Sequence, residues 1–366
     1  EYTTAELMTR FAEHLVTNYG KDPDITWMLN YHEAHFLLVL NPDGRKQAEK
    51  QIMWRKNTNR AFCGQTSQYR GVDLNRNFDY KWGIAGSSSE CSEVYRGPKG
   101  GSEPETQAVQ NYLRKLFPDR KEPGQPAPKD TAGIYLDIHS YGEIIYQPVS
   151  SPNNTEIVTL NRKFGYFNTY RPVLDERAVE VEHNHSKRSD REFHGRNHTY
   201  SFGYGDLGVA SYLFELGTSF FQSCSYFENN ILQKNIKALL YALKTVRAPY
   251  LLPSGPDVKD IQIQKSSSNS ITVTGTADDT LYSAKSGTES TQAIQAAQVF
   301  LHQPPWVKGA KGVAAKPVDG TWDGKKETFE VRLEPTRLGK GQHIVFVRAQ
   351  DKAGNWGPVS AQFFEW

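Results

Sequence analysis

The chain has 366 residues, of which 37% are hydrophobic, and its 43 Lys and Arg against 41 Asp and Glu give a formal net charge of +2. This composition supports a packed core and excludes wholesale disorder, and the length suggests two or three domains. The near-zero charge gives no reason to expect a nucleic-acid partner, and no apolar run is long enough to span a membrane.

The first elements are helical. Residues 4–19 carry apolar side chains at helical spacing, and Pro23 stands at a suitable first position for a shorter helix that reaches Asn30. Residues 36–40 then form a wholly apolar run, which the turn Asn41-Pro42-Asp43-Gly44 ends. Such a run predicts a strand that is buried on both faces of a sheet.

Strands and helices alternate in the next part of the chain. Apolar runs at 134–138 and 209–214 predict two more buried strands, and helical patterns lie near 103–117, 154–169 and 226–246. Apolar strands that alternate with helices are typical of an α/β fold, in which helices cover both faces of the sheet.

The pattern changes after Val246. Residues 248–256 are rich in Pro, Gly and Leu and read as a linker. Beyond them, period-two runs separated by turn residues predict a small all-β sandwich of immunoglobulin-like size. We therefore predict two domains, at 1–250 and 259–366, and expect the second to act as a spacer or a stabilising unit.

Several polar residues stand where chemistry is expected. His139 follows one predicted strand and Glu215 ends another, and ligands of open α/β sheets bind beyond the carboxyl ends of the strands. A single His there is more often structural than a metal ligand. Arg76, beside Asn75, offers a planar fork that matches a carboxylate, and Arg55 is a second cation. Taken alone, the segment around Arg76 is better explained as a surface turn, and the segment around Arg55 can equally be a solvated basic turn with Trp54 packed on the core.

The order of these motifs is more specific than any one of them. The chain resembles the zinc carboxypeptidases of the carboxypeptidase A and T type over about residues 1–250. The motifs that carry the resemblance are Asn41-Pro42-Asp43-Gly44, Trp54-Arg55-Lys56, the segment 71–79, Tyr95-Arg96-Gly97-Pro98 with 102–106, Asp137-Ile138-His139-Ser140-Tyr141 and Phe214-Glu215-Leu216-Gly217. The resemblance implies a mixed sheet and one Zn²⁺ ion.

The resemblance also accounts for the first residues. In the family, two zinc ligands form an H-x-x-E motif followed by an aromatic residue, and Glu1-Tyr2 matches its end. Glu1 and His139 are then zinc ligands, and the third, a His, lies upstream of residue 1. We accordingly expect the 366-residue chain alone to bind zinc poorly, to fold marginally and to be inactive. The alternative is that Glu1 is an accidental terminus.

The family pattern implies a role for each matched residue. Arg55 polarises the scissile carbonyl, Asn75 and Arg76 bind the C-terminal carboxylate of the peptide, and Tyr141 lines the cleft. Glu215 takes the proton from the zinc-bound water and passes it to the leaving amine. These roles describe a metallocarboxypeptidase that acts on the C-termini of peptides and proteins.

The sequence departs from the family at one segment. Phe193 stands where the family places a Tyr over the substrate, and a shifted alignment would bring Tyr200 or Tyr204 there instead. The segment 182–199 is explained by a divergent loop, a local sequence error or an altered substrate. Its four histidines suggest either a second metal site or, more simply, a solvated loop; they are His183, His185, His194 and His198.

The resemblance also implies how the cysteines pair and in which compartment the protein acts. Related enzymes carry a disulfide across the region flanked by Cys63 and Cys91, and most are secreted, which suits an oxidising compartment. Cys224 is expected to be buried and free, with an intermolecular bridge as the alternative. We expect a secreted monomer.

Two other functions remain open. Phe193 and the unusual segment favour a non-catalytic binding protein on the same scaffold. An amidase that cleaves cell-wall peptides would use the same zinc ion and Glu215 without needing Arg76.

Overall fold

The computed structural model describes residues 1–148, 155–173, 199–267, 269–335 and 338–366. A π-helical turn at Phe227–Leu232 joins the last two helices. The helices are α1 (Thr4–Asn18), α2 (Pro23–Tyr31), α3 (Pro42–Ala48), α4 (Pro104–Leu116), α5 (Thr155–Asn168), α6 (Thr199–Leu207), α7 (Cys224–Tyr226) and α8 (Gln233–Thr245).

The strands fall into an early group and a late group. The early strands are β1 (Ile134–His139), β2 (Ile144–Tyr146), β3 (Arg171–Val173) and β4 (Ala210–Glu215). The late strands are β5 (Asp257–Ser267), β6 (Ser270–Asp278), β7 (Ile294–Leu301), β8 (Gly312–Ala314), β9 (Lys316–Pro317), β10 (Lys326–Leu333), β11 (Gln342–Asp351) and β12 (Ser360–Glu365).

The early strands form one mixed sheet in the order β1-β4-β2-β3. β1 runs parallel to β4, whereas β2 runs antiparallel to β4 and parallel to β3. Because successive side chains of a strand point to opposite faces, Tyr212 and Phe214 of β4 pack with α5 and α8, whereas Leu213 packs with Tyr200 of α6. Val209, just before β4, packs with α4 and α6. The predicted α/β fold with helices on both faces is confirmed for this part of the chain.

The predicted strand at 36–40 is wrong. This segment is extended but belongs to no ladder among the described residues, and Leu37 and Leu38 are exposed. It lines a cleft of about 1310 Å³ whose far side is β1, an edge strand of the sheet. An apolar run predicts a strand only where a neighbour completes its hydrogen bonds, and the described residues supply none.

The turn after this segment is also more regular than expected. Pro42 opens helix α3, because its fixed φ suits the first helical position and its missing N–H is no loss there. The side chain of Asn41 caps the helix by accepting a hydrogen bond of 2.9 Å from the backbone N–H of Gly44.

The late strands form two antiparallel four-stranded sheets, in the orders β5-β6-β10-β9 and β12-β11-β7-β8. One hydrophobic cluster joins them, with Val273 and Phe329 from the first sheet and Val299 and Val347 from the second. The alternation of buried and exposed side chains along β10 is the period-two pattern that the sequence predicted.

The late sheets pack directly against the helices of the early part. Phe300 and Phe346 belong to the same hydrophobic cluster as α1, α2 and α8. Asp24 of α2 accepts a hydrogen bond of 2.8 Å from the backbone N–H of Ala361 in β12. The segment 248–256 is anchored too, since Tyr250 is buried and its hydroxyl donates to the carbonyl of Gly208 at 2.8 Å.

The cysteines follow the prediction in part. Cys63 and Cys91 form a disulfide, as the resemblance implied. Cys224 is free but exposed, so its expected burial is wrong. It is the first residue of a helix whose cap, Ser223, is also exposed. None of the helices in the described ranges is both long enough and apolar enough to cross a bilayer.

Candidate active site

Two predicted site residues lie side by side where β1 and β4 end. His139 and Glu215 are paired positions in the parallel ladder between the two strands. The carboxyl ends of parallel strands face the same edge of a sheet, and this is the edge at which α/β proteins bind ligands. The topology therefore places both side chains at one crevice.

Glu1 reaches this crevice from the start of the chain. Its Oε2 lies 2.9 Å from Nδ1 of His139. Burial acts to raise the pKa of Glu1, but the charge and hydrogen bond of His139 and the charge of Arg55 outweigh it and lower the pKa to about 2. Glu1 is thus an anionic carboxylate held against an imidazole nitrogen.

These donor atoms fit a zinc ion. Imidazole and carboxylate are common zinc ligands, and tetrahedral geometry places two such atoms about 3.4 Å apart, somewhat farther than the 2.9 Å between Nδ1 of His139 and Oε2 of Glu1. Glu215 Oε2, at the same crevice, is buried without a hydrogen-bond partner among the described residues. Within those residues no third His, Cys, Asp or Glu joins Glu1 and His139 in a compact cluster.

Glu215 itself is poised between two protonation states. Burial raises its pKa to about 7, and the negative charges of Glu1 and Asp137 add to this effect. The positive charges of His139 and Arg55 oppose it. A carboxyl group whose pKa lies near neutrality exchanges protons readily under physiological conditions.

Arg55 is held by two neighbouring elements. Its Nε donates to Oδ2 of Asp73 at 2.9 Å, and the Asp73 side chain is almost wholly buried. The amide of Asn41 donates to the carbonyls of Arg55 and Lys56 at 3.2 and 3.0 Å. About a third of the Arg55 side chain is exposed, so the fixed guanidinium remains accessible from the cleft.

Asn75 and Arg76 lie in a short 3₁₀ turn, Leu74–Arg76, whose cap is Asp73. Oδ1 of Asp73 accepts a hydrogen bond of 3.1 Å from the backbone N–H of Asn75. One carboxylate therefore joins Arg55 to the turn that carries Asn75. Asn75 lines the same cleft as Glu1 and His139, whereas Arg76 is buried and donates to the carbonyl of Asn75 at 3.1 Å.

The aromatic candidates divide into three groups. Tyr141 is 48% exposed, and its ring packs edge to face on Phe220 with centroids 4.8 Å apart. Tyr200 and Tyr204 are buried in the core, so neither side chain faces a cleft. Phe193 and the segment 182–198, with its histidines, lie outside the described residues.

Three residues with evident positions in the site were not assigned roles from the sequence. Asp73 stands inside a quoted motif, but nothing in one sequence shows that it reaches back to Arg55. Asn41 was interpreted as part of a turn only, although Asn before Pro is a good helix cap. Asp137 was quoted beside His139; a carboxylate in the middle of an apolar strand is the signal that could have singled it out.

Comparisons with known proteins show the family to which the chain belongs. The profile of the zinc carboxypeptidase family, Peptidase_M14, matches residues 1–236, which is more than half of the chain. The chain therefore belongs to the zinc carboxypeptidase family, whose members use one catalytic zinc ion.

Individual relatives fit the same family. The chain is 33% identical over 159 residues to mast cell carboxypeptidase A of Mus musculus, which covers 42% of this chain and 34% of the relative. It is 27% identical over 183 residues to metallocarboxypeptidase A of Arthroderma otae, covering 50% of this chain and 37% of the relative. The chain thus spans about a third of the length of these relatives.

A solved structure shares the fold. Bovine thrombin-activatable fibrinolysis inhibitor, solved in complex with tick carboxypeptidase inhibitor, superposes with a TM-score of 0.51 at 23% identity. The match covers 66% of this chain and 77% of that structure. At this identity the comparison supports the α/β fold and nothing finer.

Proposed function

We propose that the protein is a metallocarboxypeptidase that hydrolyses the C-terminal peptide bond of peptides and proteins. The observation that carries the proposal is the meeting of Glu1, His139, Glu215 and Arg55 at the carboxyl ends of β1 and β4. It pairs a metal-ligand set with a near-neutral carboxyl group and a fixed cation, which is what peptide hydrolysis requires.

In this proposal Glu1 and His139 supply two ligands of a single zinc ion. When bound, the ion would polarise the scissile carbonyl and lower the pKa of a water molecule. Glu215 accepts the proton of the attacking water and delivers it to the departing amine, which its pKa of about 7 permits.

The remaining residues bind and orient the substrate. Arg55, held in place by Asp73, stabilises the negative charge that develops on the carbonyl oxygen. Asn75, which lines the cleft, and the adjacent buried Arg76 recognise the free C-terminal carboxylate through an amide and a guanidinium. Tyr141 lines the cleft beside Phe220, and the family resemblance assigns Phe193 a part in substrate binding.

The test uses the full-length gene product that contains these residues. We expect it to release single C-terminal amino acids from a peptide panel, to lose this activity with a chelator, and to leave C-terminally amidated peptides intact. One bound zinc ion without release would favour a binding protein, and cleavage of amidated peptides would favour an amidase.

A variant pair sharpens this test. Arg76→Ala should lower kcat/KM by roughly 10- to 150-fold on free C-termini, the loss expected when a charged hydrogen bond to the substrate is removed. Arg60→Ala removes an exposed arginine of the same charge and should leave kcat/KM unchanged. An active Arg76→Ala variant would contradict carboxylate recognition at this position.

We also infer the setting in which the enzyme acts. The Cys63–Cys91 disulfide favours a secreted protein. Residues 259–366 are proposed to form an immunoglobulin-like β-sandwich that supports the early part of the chain, because its sheets contribute to the same hydrophobic cluster. A monomer remains our prediction, for which sedimentation is the direct measurement.

A further inference from the structure

Asp137 is a carboxylate inside a strand that is otherwise apolar. Strand β1 reads Ile-Tyr-Leu-Asp-Ile-His, and the side chain of Asp137 is only 12% exposed. Taking a carboxylate out of water costs free energy unless a charged or hydrogen-bonding partner compensates it. A partner for this side chain is therefore expected nearby.

The strand geometry supplies that partner. Side chains two residues apart share a face, so Asp137 and His139 lie together while Leu136 and Ile138 pack on the main core. Oδ2 of Asp137 lies 3.0 Å from Nε2 of His139. Oδ2 of Asp137 accepts no hydrogen bond of good geometry from any described residue. It is therefore free to accept one from Nε2–H of His139, the nitrogen that lies 3.0 Å away.

The other ring nitrogen faces a different carboxylate. Nδ1 of His139 lies 2.9 Å from Glu1 Oε2, on the opposite edge of the imidazole from Asp137. A metal ion bound by Glu1 and Nδ1 would therefore be separated from Asp137 by the width of the ring. Asp137 acts on such an ion only through His139.

We propose that Asp137 is a positioning residue for the metal centre: it holds the Nε2–H of His139 and so directs the Nδ1 lone pair toward the metal beside Glu1. The inference rests on the proposed function, which makes His139 a zinc ligand. A carboxylate behind a histidine fixes both the tautomer and the orientation of the ring and raises its strength as a ligand.

The test measures zinc affinity rather than activity. In the full-length gene product, the zinc Kd is measured by competition with a chromophoric chelator for the wild type, Asp137→Asn and Asp137→Ala. Asn keeps an acceptor oxygen but loses the charge, and Ala loses both. We expect Asp137→Ala to raise Kd about 10- to 100-fold and Asp137→Asn to raise it less.

Two further readouts separate positioning from simple stability. The visible spectrum of the Co²⁺-loaded protein should change in Asp137→Ala, because the imidazole ligand is no longer held in one orientation. Asp130→Ala, which removes an exposed carboxylate paired with Arg120, should leave both the zinc Kd and this spectrum unchanged. Denaturant unfolding of each variant verifies that the measured proteins are folded.

The outcomes are distinct. Zinc affinity and Co²⁺ spectra that match the wild type in both Asp137 variants would overturn the positioning role and leave the proposed function intact. Zinc binding by the wild type without peptide hydrolysis would overturn the proposed function, while the ratio of Kd values still decides the role of Asp137. Absence of zinc binding by the wild type would overturn both.

Discussion

Two carboxyl groups in different regions of the molecule have nearly the same electrostatic character. Glu215 in the candidate active site is half-buried and Asp279, which directly follows β6, is fully buried, and each has one buried oxygen without a hydrogen-bond partner among the described residues. Burial is the largest cause of the raised pKa in both, and both pKa values are about 7.

Their surroundings differ. Glu215 stands at the end of a parallel strand near Glu1, His139 and Arg55, at the edge of the sheet where α/β proteins generally bind ligands. Asp279 is 1% exposed, accepts a hydrogen bond from the backbone N–H of Gln292, and senses the charges of Lys163, Asp351 and Asp257. A shifted pKa therefore marks desolvation in both regions, and only the geometry distinguishes a catalytic group from a structural one.

Replacing Glu215 should give the largest effect. Glu215→Gln removes the proton acceptor while keeping the shape of the side chain, so kcat/KM for peptide hydrolysis should fall by roughly 10²- to 10⁴-fold. The matched change, Asp279→Asn, should leave kcat/KM within about twofold. Equal losses of activity in the two variants would contradict the conclusion that Glu215 is catalytic and Asp279 is structural.

Removal of the buried Lys163 should strongly destabilise the contact between helix α5 and the start of strand β5, which we call the α5–β5 interface. Nζ of Lys163 is fully buried and lies 2.5 Å from Oδ2 of Asp257. Lys163→Met leaves this carboxylate without its cation, and we expect the free energy of unfolding to fall by about 3–5 kcal/mol. Urea titration measures the change; a loss under 1 kcal/mol would mean that the interface does not depend on this ion pair.

The pH dependence of stability should reveal Asp279. Its pKa rises from an ordinary value of 3.8 to about 7 on folding, so the folded protein retains a proton that the unfolded chain releases. Stability from this group is present below about pH 4 and is lost as the pH rises to about 7. Asp279→Asn should remove this loss and stabilise the protein at pH 8 by roughly 2–4 kcal/mol.

The measurement is a series of urea titrations between pH 4 and pH 8. Glu289→Gln is the control. Glu289 also contacts helix α5, where its carboxylate forms an ion pair with Arg162. The Glu289→Gln protein should still lose stability as the pH rises toward 8, as the wild type does. Parallel curves for the wild type and Asp279→Asn would show that Asp279 does not titrate in this range.

The neighbouring aspartate should contribute least. Asp278 forms an ion pair with Lys259 at 2.9 Å, and Lys259 is more than a third exposed. Burial acts to raise the pKa of Asp278, but hydrogen bonds with Thr280 and Lys259 outweigh it and lower the pKa. Lys259→Ala should change the unfolding free energy by less than about 1 kcal/mol, because water screens the partly exposed ammonium group and Thr280 still donates two hydrogen bonds to the buried Asp278 carboxylate.

The sequence predicted much of the fold because its signals were local. Helical spacing placed α1, α2, α4, α5 and α8 near their observed bounds, and apolar runs located β1 and β4. The short strands β2 and β3 were missed, since three residues carry no usable periodicity. The segment 36–40 shows the converse: an apolar run alone does not create a strand without a neighbour.

For the candidate site, the sequence likewise suggested individual residues from local signals, but not the contacts between them. Residue types at strand ends suggested His139 and Glu215, and the order of motifs suggested Glu1 and Arg55. The sequence did not reveal contacts between distant segments. Two examples are the hydrogen bond from Arg55 to the carboxylate of Asp73 and the hydrogen bond from the side-chain amide of Asn41 to the carbonyl of Arg55. Those contacts exist only after the chain has folded.

The anchored segment 248–256 has a consequence for proteolysis. Composition alone suggested a linker, yet Tyr250 is buried and hydrogen-bonded to Gly208, and both sides of the segment share one hydrophobic cluster. A cut in this segment would therefore not release two fragments. The pieces would remain associated as a nicked protein, separable by denaturant but not by dilution.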